Sequence, residues 1–296
     1  MKTIRPGDVP VPAMHQLLLG TVSPRPIAFA STVDKDGNVN LSPFSFFNVF
    51  SANPPILVFS PSRRGTNNTT KDTYNNVLEV PEVTINVVNY AMVQQMSLAS
   101  TEYPTGVNEF LKSGFTPVES ELVKPPRVGE APAAFECKVI EVKPLGDKGG
   151  AGNLVICEVL QVHVDENLYI DGKIDPYKID HVARMGTNYY CRAQGDAIFE
   201  VAKPLTTLGI GVDAIPQSIR HSKVLTGNDL GILGNVEKLP SDAEVEEFAS
   251  EPEVHAILED SENEPDNLQE ELHKLAAKYI ADGNPVGAWK VLLQEY

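Results

Sequence analysis

Residues 42–73 read SPFSFFNVFSANPPILVFSPSRRGTNNTTKDT, and both fold and function turn on this stretch. It opens on a small-polar and aromatic run, Ser45-Phe46-Phe47-Asn48, able to meet a flat ring. A tight Asn53-Pro54-Pro55 turn then delivers the β-prone run Ile56 to Phe59 and ends at Ser60. The stretch closes on a loop crowded with hydroxyls, amides and cations. Phosphate recognition needs charge and directed donors, and Arg63, Arg64, Thr66, Thr70, Lys71 and Thr73 supply both within eleven residues, with Asp72 beside them. The same composition suits a solvated loop whose Asn and Thr side chains only cap turns. The stretch therefore reads as a nucleotide-like site with a ring end and a phosphate end, or as a plain polar connection.

Working outward, Pro24 and Pro26 keep the chain extended into the β-prone run Ile27 to Val33. The Asp36-Gly37 pair inside Asp34 to Asn38 signals a hairpin, because glycine supplies the positive φ of a tight turn. Upstream, Met14 to Leu19 reads as one short helical turn. Downstream, a short helix is expected at Tyr74 to Leu78, with Asp72 or Thr73 as N-cap and its free N–H groups toward the polar loop. A strand (Val83 to Val88), a helix (Ala91 to Ala99) and a short helix stopped by Gly114 follow. Two strands, Phe135 to Val142 and Leu154 to Val164, flank the glycine-rich run 146–152. That run lacks the GxxxxGK[ST] order and reads as a flexible hairpin. Another strand pair is expected around Asp171-Gly172. Closely spaced strands with few short helices imply a mainly β, mostly antiparallel barrel rather than βαβ alternation.

At 296 residues and 42% hydrophobic content the chain can build a sizeable core. Its net charge of −16 argues against a nucleic-acid partner or an anionic membrane surface. The acidity is uneven: residues 241–273 carry 13 Asp/Glu and no Lys or Arg. A solvated helical face is the plain reading of that run. Helical segments are expected at about Asp242–Phe248, Pro252–Leu258 and Leu268–Ala281, with a last turn at Ala288–Leu293, whereas Gly227 to Gly234 reads as irregular. The GxG at Gly209 to Gly211 lacks the third glycine of a dinucleotide fingerprint. The domains expected are 1–195, a barrel, and 196–296, a partly helical acidic extension. Cys137, Cys157 and Cys191 are far apart and read as core residues of a reduced protein. No secretory leader and no apolar run of membrane length is seen, so a cytoplasmic protein is expected.

The chemistry is not that of a hydrolase: the sequence has no GxSxG, no HExxH and no His/Asp/Glu cluster at metal spacing, so no metal is expected. A second anionic site is suggested by His181-Val182-Ala183-Arg184, where His181 and Arg184 could share a helical face at i, i+3. The plain alternative is a surface turn followed by ordinary core tyrosines.

Taken together, SPRPIAFASTVDKDGNVNLSPFSFFN, the NPP turn with its strand, KDT, TINVVN, EFLKSGFTPV and RMGTNYY resemble the flavin reductase-like family, in the expected order over about residues 10–193. The resemblance implies an FMN-binding split β-barrel, usually homodimeric, with NADH or NADPH as reductant. It implies that Ser45, Phe46, Phe47 and Asn48 border the flavin ring, with Arg25 near it and Ser60 near the ribityl chain. It further implies that Thr66, Lys71, Asp72 and Thr73, assisted by Arg63 or Arg64, hold or frame the phosphate, and the loop chemistry adds Thr70 to them. His181 and Arg184 would approach the reacting ring, the catalytic positions of this reading. The function implied is an NAD(P)H-dependent flavin reductase. A flavin-binding electron carrier, or an FMN enzyme acting on a small organic substrate, are the alternatives. Nothing in the resemblance accounts for 200–296.

Overall fold

The structure is a computed structural model describing residues 1–261 and 267–295. Glu262, Glu264 and Asp266 of the acidic run lie outside the described residues. The chain divides into two compact units, Met1–Phe199 and Glu200–Tyr296, four residues beyond the boundary expected from sequence.

In the first unit, helix α1 (Val11–Thr21) precedes strands β1 (Ala28–Val33), β2 (Val39–Phe44), β3 (Phe47–Ala52) and β4 (Pro55–Phe59). Helix α2 (Asp72–Glu79), strand β5 (Glu82–Asn86), and helices α3 (Val93–Leu98) and α4 (Glu109–Ser113) come next. Two short strands, β6 (Pro117–Val118) and β7 (Arg127–Val128), lead into the long hairpin of β8 (Ala133–Pro144) and β9 (Asn153–Val164). Seven strands form one antiparallel sheet in the order β2-β1-β5-β8-β9-β4-β3. Register shifts at Glu136/Cys137 and Val139/Glu141 bend the long hairpin, as extra residues in one strand of a ladder do.

Strand β1 explains why its sequence is apolar without alternation. Ala28 and Ala30 point into one core with Phe44, Leu57, Phe59 and Ile85. Ile27 and Phe29 point the other way, into a second core with Leu41, Met92, Met96 and Phe110. All six residues of β1 are buried, so both faces of its pleat must be apolar or small. Cys137 and Cys157 sit fully buried in the first core, as expected, but Cys191 is only half-buried. Burial pushes the Cys137 thiol up to about 12, with the Glu136 charge adding to it, which keeps it inert.

Two small hairpin pieces, β10 (Tyr169–Ile170) with β11 (Lys173–Ile174), and a turn of helix α5 (Pro176–Ile179) lead to β12 (Val182–Arg184) and β13 (Tyr190–Arg192). Here a sequence expectation fails. Residues 181–184 are extended, not helical, because β12 pairs with β13 and bridges Arg25 and Asn89 through His181 and Arg184. Along an extended chain, positions three apart face opposite sides, so His181 and Arg184 share no face.

The second unit is helical: α6 (Gln217–Arg220), α7 (Gly227–Leu233), α8 (Asp242–Phe248), α9 (Pro252–Ser261), α10 (Leu268–Ala281) and α11 (Pro285–Leu292). Its core gathers Ile219, Leu233, Leu272, Ala276, Val291 and the fully buried Trp289, whose indole donates to the Leu233 carbonyl at 3.0 Å. The run 227–234, read as irregular, is a helix because Thr226 and Asp229 form a reciprocal capping box. Gly209 serves backbone contact, since a Cβ there would lie 2.5 Å from the Gly234 carbonyl oxygen. Among the described residues no helix is long and apolar enough to cross a membrane, and no group of three or more His/Cys/Asp/Glu is placed to hold a metal.

Candidate functional site

The polar loop is held by its own arginines. The Arg63 guanidinium donates to the Asn68 side-chain and backbone oxygens at 2.7 and 2.6 Å. Arg64 donates to Thr69 Oγ1 at 3.1 Å and to the Thr70 carbonyl at 2.6 Å, and lies 3.4 Å from Glu102. Asn68 takes a positive φ of 57° at the tip, which asparagine tolerates better than most side chains. Thr66 is exposed there, away from the recess described next.

The glycine-rich hairpin props this loop from outside. Arg63 N–H donates to the Ala151 carbonyl at 2.8 Å, and Gly150 N–H returns to Arg63 at 3.0 Å. A Cβ on Gly149 would stand 3.1 Å from the Arg64 carbonyl oxygen, and one on Gly152 only 2.7 Å from Ser60 Oγ. Gly149 and Gly152 therefore act as spacers that let two loops close on one another.

Beyond the loop, Lys71 is the N-cap of α2, one residue before the cap expected from sequence, and no side chain caps the helix. The Lys71 ammonium lies 5.5 Å from the centre of the Phe44 ring and, among the described residues, pairs with no carboxylate. Burial, then the like charge of Arg64, holds it below the usual lysine range. Arg64, Lys71, Asp72 and Thr73 border one recess with Asn40 and Ser42 of the β2 strand and Ser100, Thr101 and Glu102 beyond α3. Thr73 is buried and accepts from Asn40 Nδ2 at 2.9 Å, and Asp72 accepts from Thr105 Oγ1 at 3.1 Å. Thr70 donates to Asn75 Oδ1 at 2.9 Å. Glu109 closes the floor, where burial, with Asp72 nearby, raises its carboxyl pKa despite the hydrogen bond from Leu41 N–H at 2.9 Å.

The ring end lies at the turn between β2 and β3. Phe46 is exposed and meets His15 of α1 edge-on, with centroids 6.3 Å apart, while Phe47 packs on the barrel core. Asn48 is exposed and accepts from Val49 N–H at 2.8 Å. Ser60 is buried, its hydroxyl accepting from Asn153 N–H at 3.0 Å.

Arg25 is buried, and its guanidinium is largely committed to the protein. It donates to the Leu19, Val22 and Met185 carbonyls and, at 3.4 Å, to Ser45 Oγ. Its role is to bind the end of α1, the Ser45 turn and the 185–189 turn together. Arg184 donates to the Thr187 carbonyl at 2.6 Å and stacks 4.6 Å from the Tyr190 ring centre. His181 sits two strand positions before Ala183, and desolvation lowers its pKa, which favours a neutral imidazole at neutral pH. Gly186 permits the 185–189 turn to lie on α1, since its Cβ would be 3.2 Å from Gly20 Cα.

The family description "Flavin reductase like domain" matches residues 19–178. The chain belongs to that family. An uncharacterized protein of Aquifex aeolicus (strain VF5) is 40% identical over 189 residues, which cover 64% of this chain and 94% of the relative. Among solved structures, nitrilotriacetate monooxygenase component B from Bacillus cereus is 32% identical, with a TM-score of 0.64 over 68% of this chain and 98% of that one. The 2-nitrobenzoate 2-nitroreductase NbaA of Pseudomonas fluorescens is 26% identical, with a TM-score of 0.59 over 70% of this chain and 100% of that one. As a flavin reductase-like protein, the chain is a flavin-related oxidoreductase with a mainly antiparallel β fold and a helical C-terminal extension.

Several residues of the recess escaped sequence reading. Asn40, Glu109 and Ser100 to Glu102 reach it from distant positions, and no local motif marks them. Glu109 carried one available signal, a carboxylate at the start of a short helix next to the apolar pair Phe110-Leu111.

Proposed function

We propose that this protein is an FMN-binding, NAD(P)H-dependent flavin reductase, with the flavin phosphate in the Lys71 recess and the ring toward Ser45 to Asn48. One observation carries the reading. Lys71 and Arg64 bring two cations to the start of a helix whose N-cap makes no side-chain hydrogen bond, partly offset by Asp72 in its first turn and by Glu102 beside Arg64. The free N–H groups of that helix end and the Lys71 ammonium, which has no carboxylate partner among the described residues, suit an anion. A phosphate monoester fits: Lys71 and Arg64 supply charge, the free N–H groups of α2 supply donors, and Thr101 adds a hydroxyl, while the Ser100 hydroxyl is committed to the Ser97 carbonyl.

Bound flavin supplies the hydride-accepting and electron-transferring ring chemistry. The chain's own part is positioning. The Ser45 turn is fixed by Arg25, Phe46 offers an exposed apolar face, and Ser60 anchors the strand end through Asn153. His181, Arg184 and a second copy of the chain complete the ring side in this reading. A neutral His181 leaves Arg184, beside the Arg25 that holds the Ser45 turn, to stabilise negative charge there.

The test is an absorbance spectrum of the purified full chain with FMN, before and after NADH or NADPH under anaerobic conditions. The expected result is a flavin spectrum that bleaches with nicotinamide. A bound flavin inert to both nicotinamides would leave the binding site standing and overturn the reductase activity. Lys71→Ala is expected to weaken FMN binding at least tenfold, and an unchanged dissociation constant would overturn the phosphate placement.

A further inference from the structure

Building on the placement of the flavin phosphate proposed above, we infer that Glu109 takes up a proton from solvent when that phosphate enters the Lys71 recess. The recess then holds its anion less tightly as pH rises.

The recess is not simply basic. Arg64 and Lys71 are its cations, but Asp72, Glu102 and Glu109 border it too, so with all of them ionised it carries a net negative charge. That does not suit a phosphate dianion. Two of the carboxylates have company: Glu102 is exposed and lies 3.4 Å from Arg64, and Asp72 accepts from Thr105 Oγ1 at 3.1 Å. Glu109 is different. It is buried, and among the described residues it pairs with no cation, its carboxyl accepting from Leu41 N–H at 2.9 Å.

The surroundings of Glu109 supply no other charge to answer it. Its helix, α4, packs on β2 and α3, and neither carries a titratable side chain. Asp72 comes from α2, Arg64 and Lys71 from the loop before it, and Glu102 and Tyr103 from the segment after α3. On α4 itself, Lys112 turns to the Tyr103 ring, 5.7 Å from its centre.

In the free protein burial, and then Asp72, already raise the Glu109 carboxyl pKa, against the pull of the Leu41 N–H and its own. A phosphate drawn in by Lys71 and Arg64 puts a further negative neighbour in the same recess and raises it again. The bound state therefore keeps a proton that the free state has partly released. Between the two values binding takes up a proton, and affinity falls as pH rises. The second ionisation of the phosphate, at pH about 6, acts in the opposite sense. Lys71, held below the usual lysine range, adds a fall of its own at higher pH. Glu109→Gln shares both effects and lacks the carboxyl, so the comparison isolates Glu109.

Calorimetric titration of the full chain with FMN, from pH 5 to 8 in buffers of different ionisation enthalpy, reads proton uptake and affinity together. The wild type is expected to take up roughly 0.5 proton more than Glu109→Gln, and its affinity relative to that variant to fall about tenfold across the range. Riboflavin, which lacks the phosphate, should show neither difference. Equal proton uptake by the two proteins, a constant affinity ratio, or the same differences with riboflavin would each overturn the role of Glu109 and leave FMN binding intact. FMN that fails to bind, or that binds Lys71→Ala as tightly as the wild type, overturns the phosphate placement and the proton uptake with it. Should Glu109→Gln fail to fold, Asp72→Asn removes one negative neighbour and should move the fall in affinity to lower pH. A fall that stays in place would overturn the coupling.

Discussion

Asn40 Nδ2 donates to the buried Thr73 hydroxyl at 2.9 Å, tying β2 to the first turn of α2 across 33 positions of sequence. This bond sets where the uncapped helix end faces. Thr73→Val keeps the shape but removes the acceptor, and is expected to cost about 1–2 kcal/mol of stability. In the proposed reading it also lowers FMN affinity roughly tenfold. Urea unfolding and a fluorescence titration with FMN check the two effects separately.

Arg25 joins three segments, the end of α1 and the 185–189 turn through backbone carbonyls and the Ser45 turn through its hydroxyl, which no shorter side chain reaches together. Arg25→Ala is expected to destabilise the first unit by about 3–5 kcal/mol, because several buried acceptors lose their donor at once. Hydrogen exchange should show α1 and the 185–189 turn opening first. Protection there equal to the wild type would contradict the joining role.

Gly152 faces Ser60 with no room for a methyl group, since a Cβ would stand 2.7 Å from Ser60 Oγ but 4.0 Å from Ser60 Cβ. Gly152→Ala is therefore expected to cost about 1–3 kcal/mol. Ser60→Ala by itself is expected to cost about 1 kcal/mol, by leaving Asn153 N–H unpaired. In the double variant the clash is gone, so the two losses should sum to less than the separate values. Thermal unfolding of all four proteins gives that coupling.

Glu109 provides a pH signature. Its carboxyl pKa is raised in the fold, by burial first and the nearby Asp72 charge after it. The native state thus holds the proton more tightly than the unfolded chain does, and the contribution of Glu109 to stability is full below the unfolded value. It is lost as pH rises through the raised native value. Glu109→Gln keeps an acceptor for Leu41 N–H and cannot ionise. Its melting temperature should therefore fall less than that of the wild type as pH is raised from 4 to 7. Parallel pH profiles would show that the carboxyl ionises at no cost.

The glycines show how far local reading reaches. Gly37 and Gly114, with φ of 84° and 72°, stand where the sequence called for a turn and a helix stop, because those needs are satisfied by the neighbouring few residues. The glycines at 149, 152, 186 and 209 answer to backbone or side chains far off in the chain, so their sequence context shows only that something is small there. The extended conformation at 181–184 has the same origin. Its partners are Arg25, Asn89 and β13, and without them the pattern suits a helical turn equally well.

The amino-acid sequence alone determined the β-rich first part, its hairpins, most of the C-terminal helices, and the order of motifs that marks the flavin reductase-like family. Those features rest on alternation, turn chemistry and residue order, which act over a few positions. Only the tertiary structure decided which polar groups are spent and which are left to meet a ligand. Arg63 and Arg25 look alike in sequence to Lys71, yet their donors are committed to the protein's own oxygens while the Lys71 ammonium pairs with no carboxylate among the described residues. A charged side chain keeps its donors for a ligand only to the extent that the fold brings no internal partner to them, and that depends on contacts between segments distant in sequence.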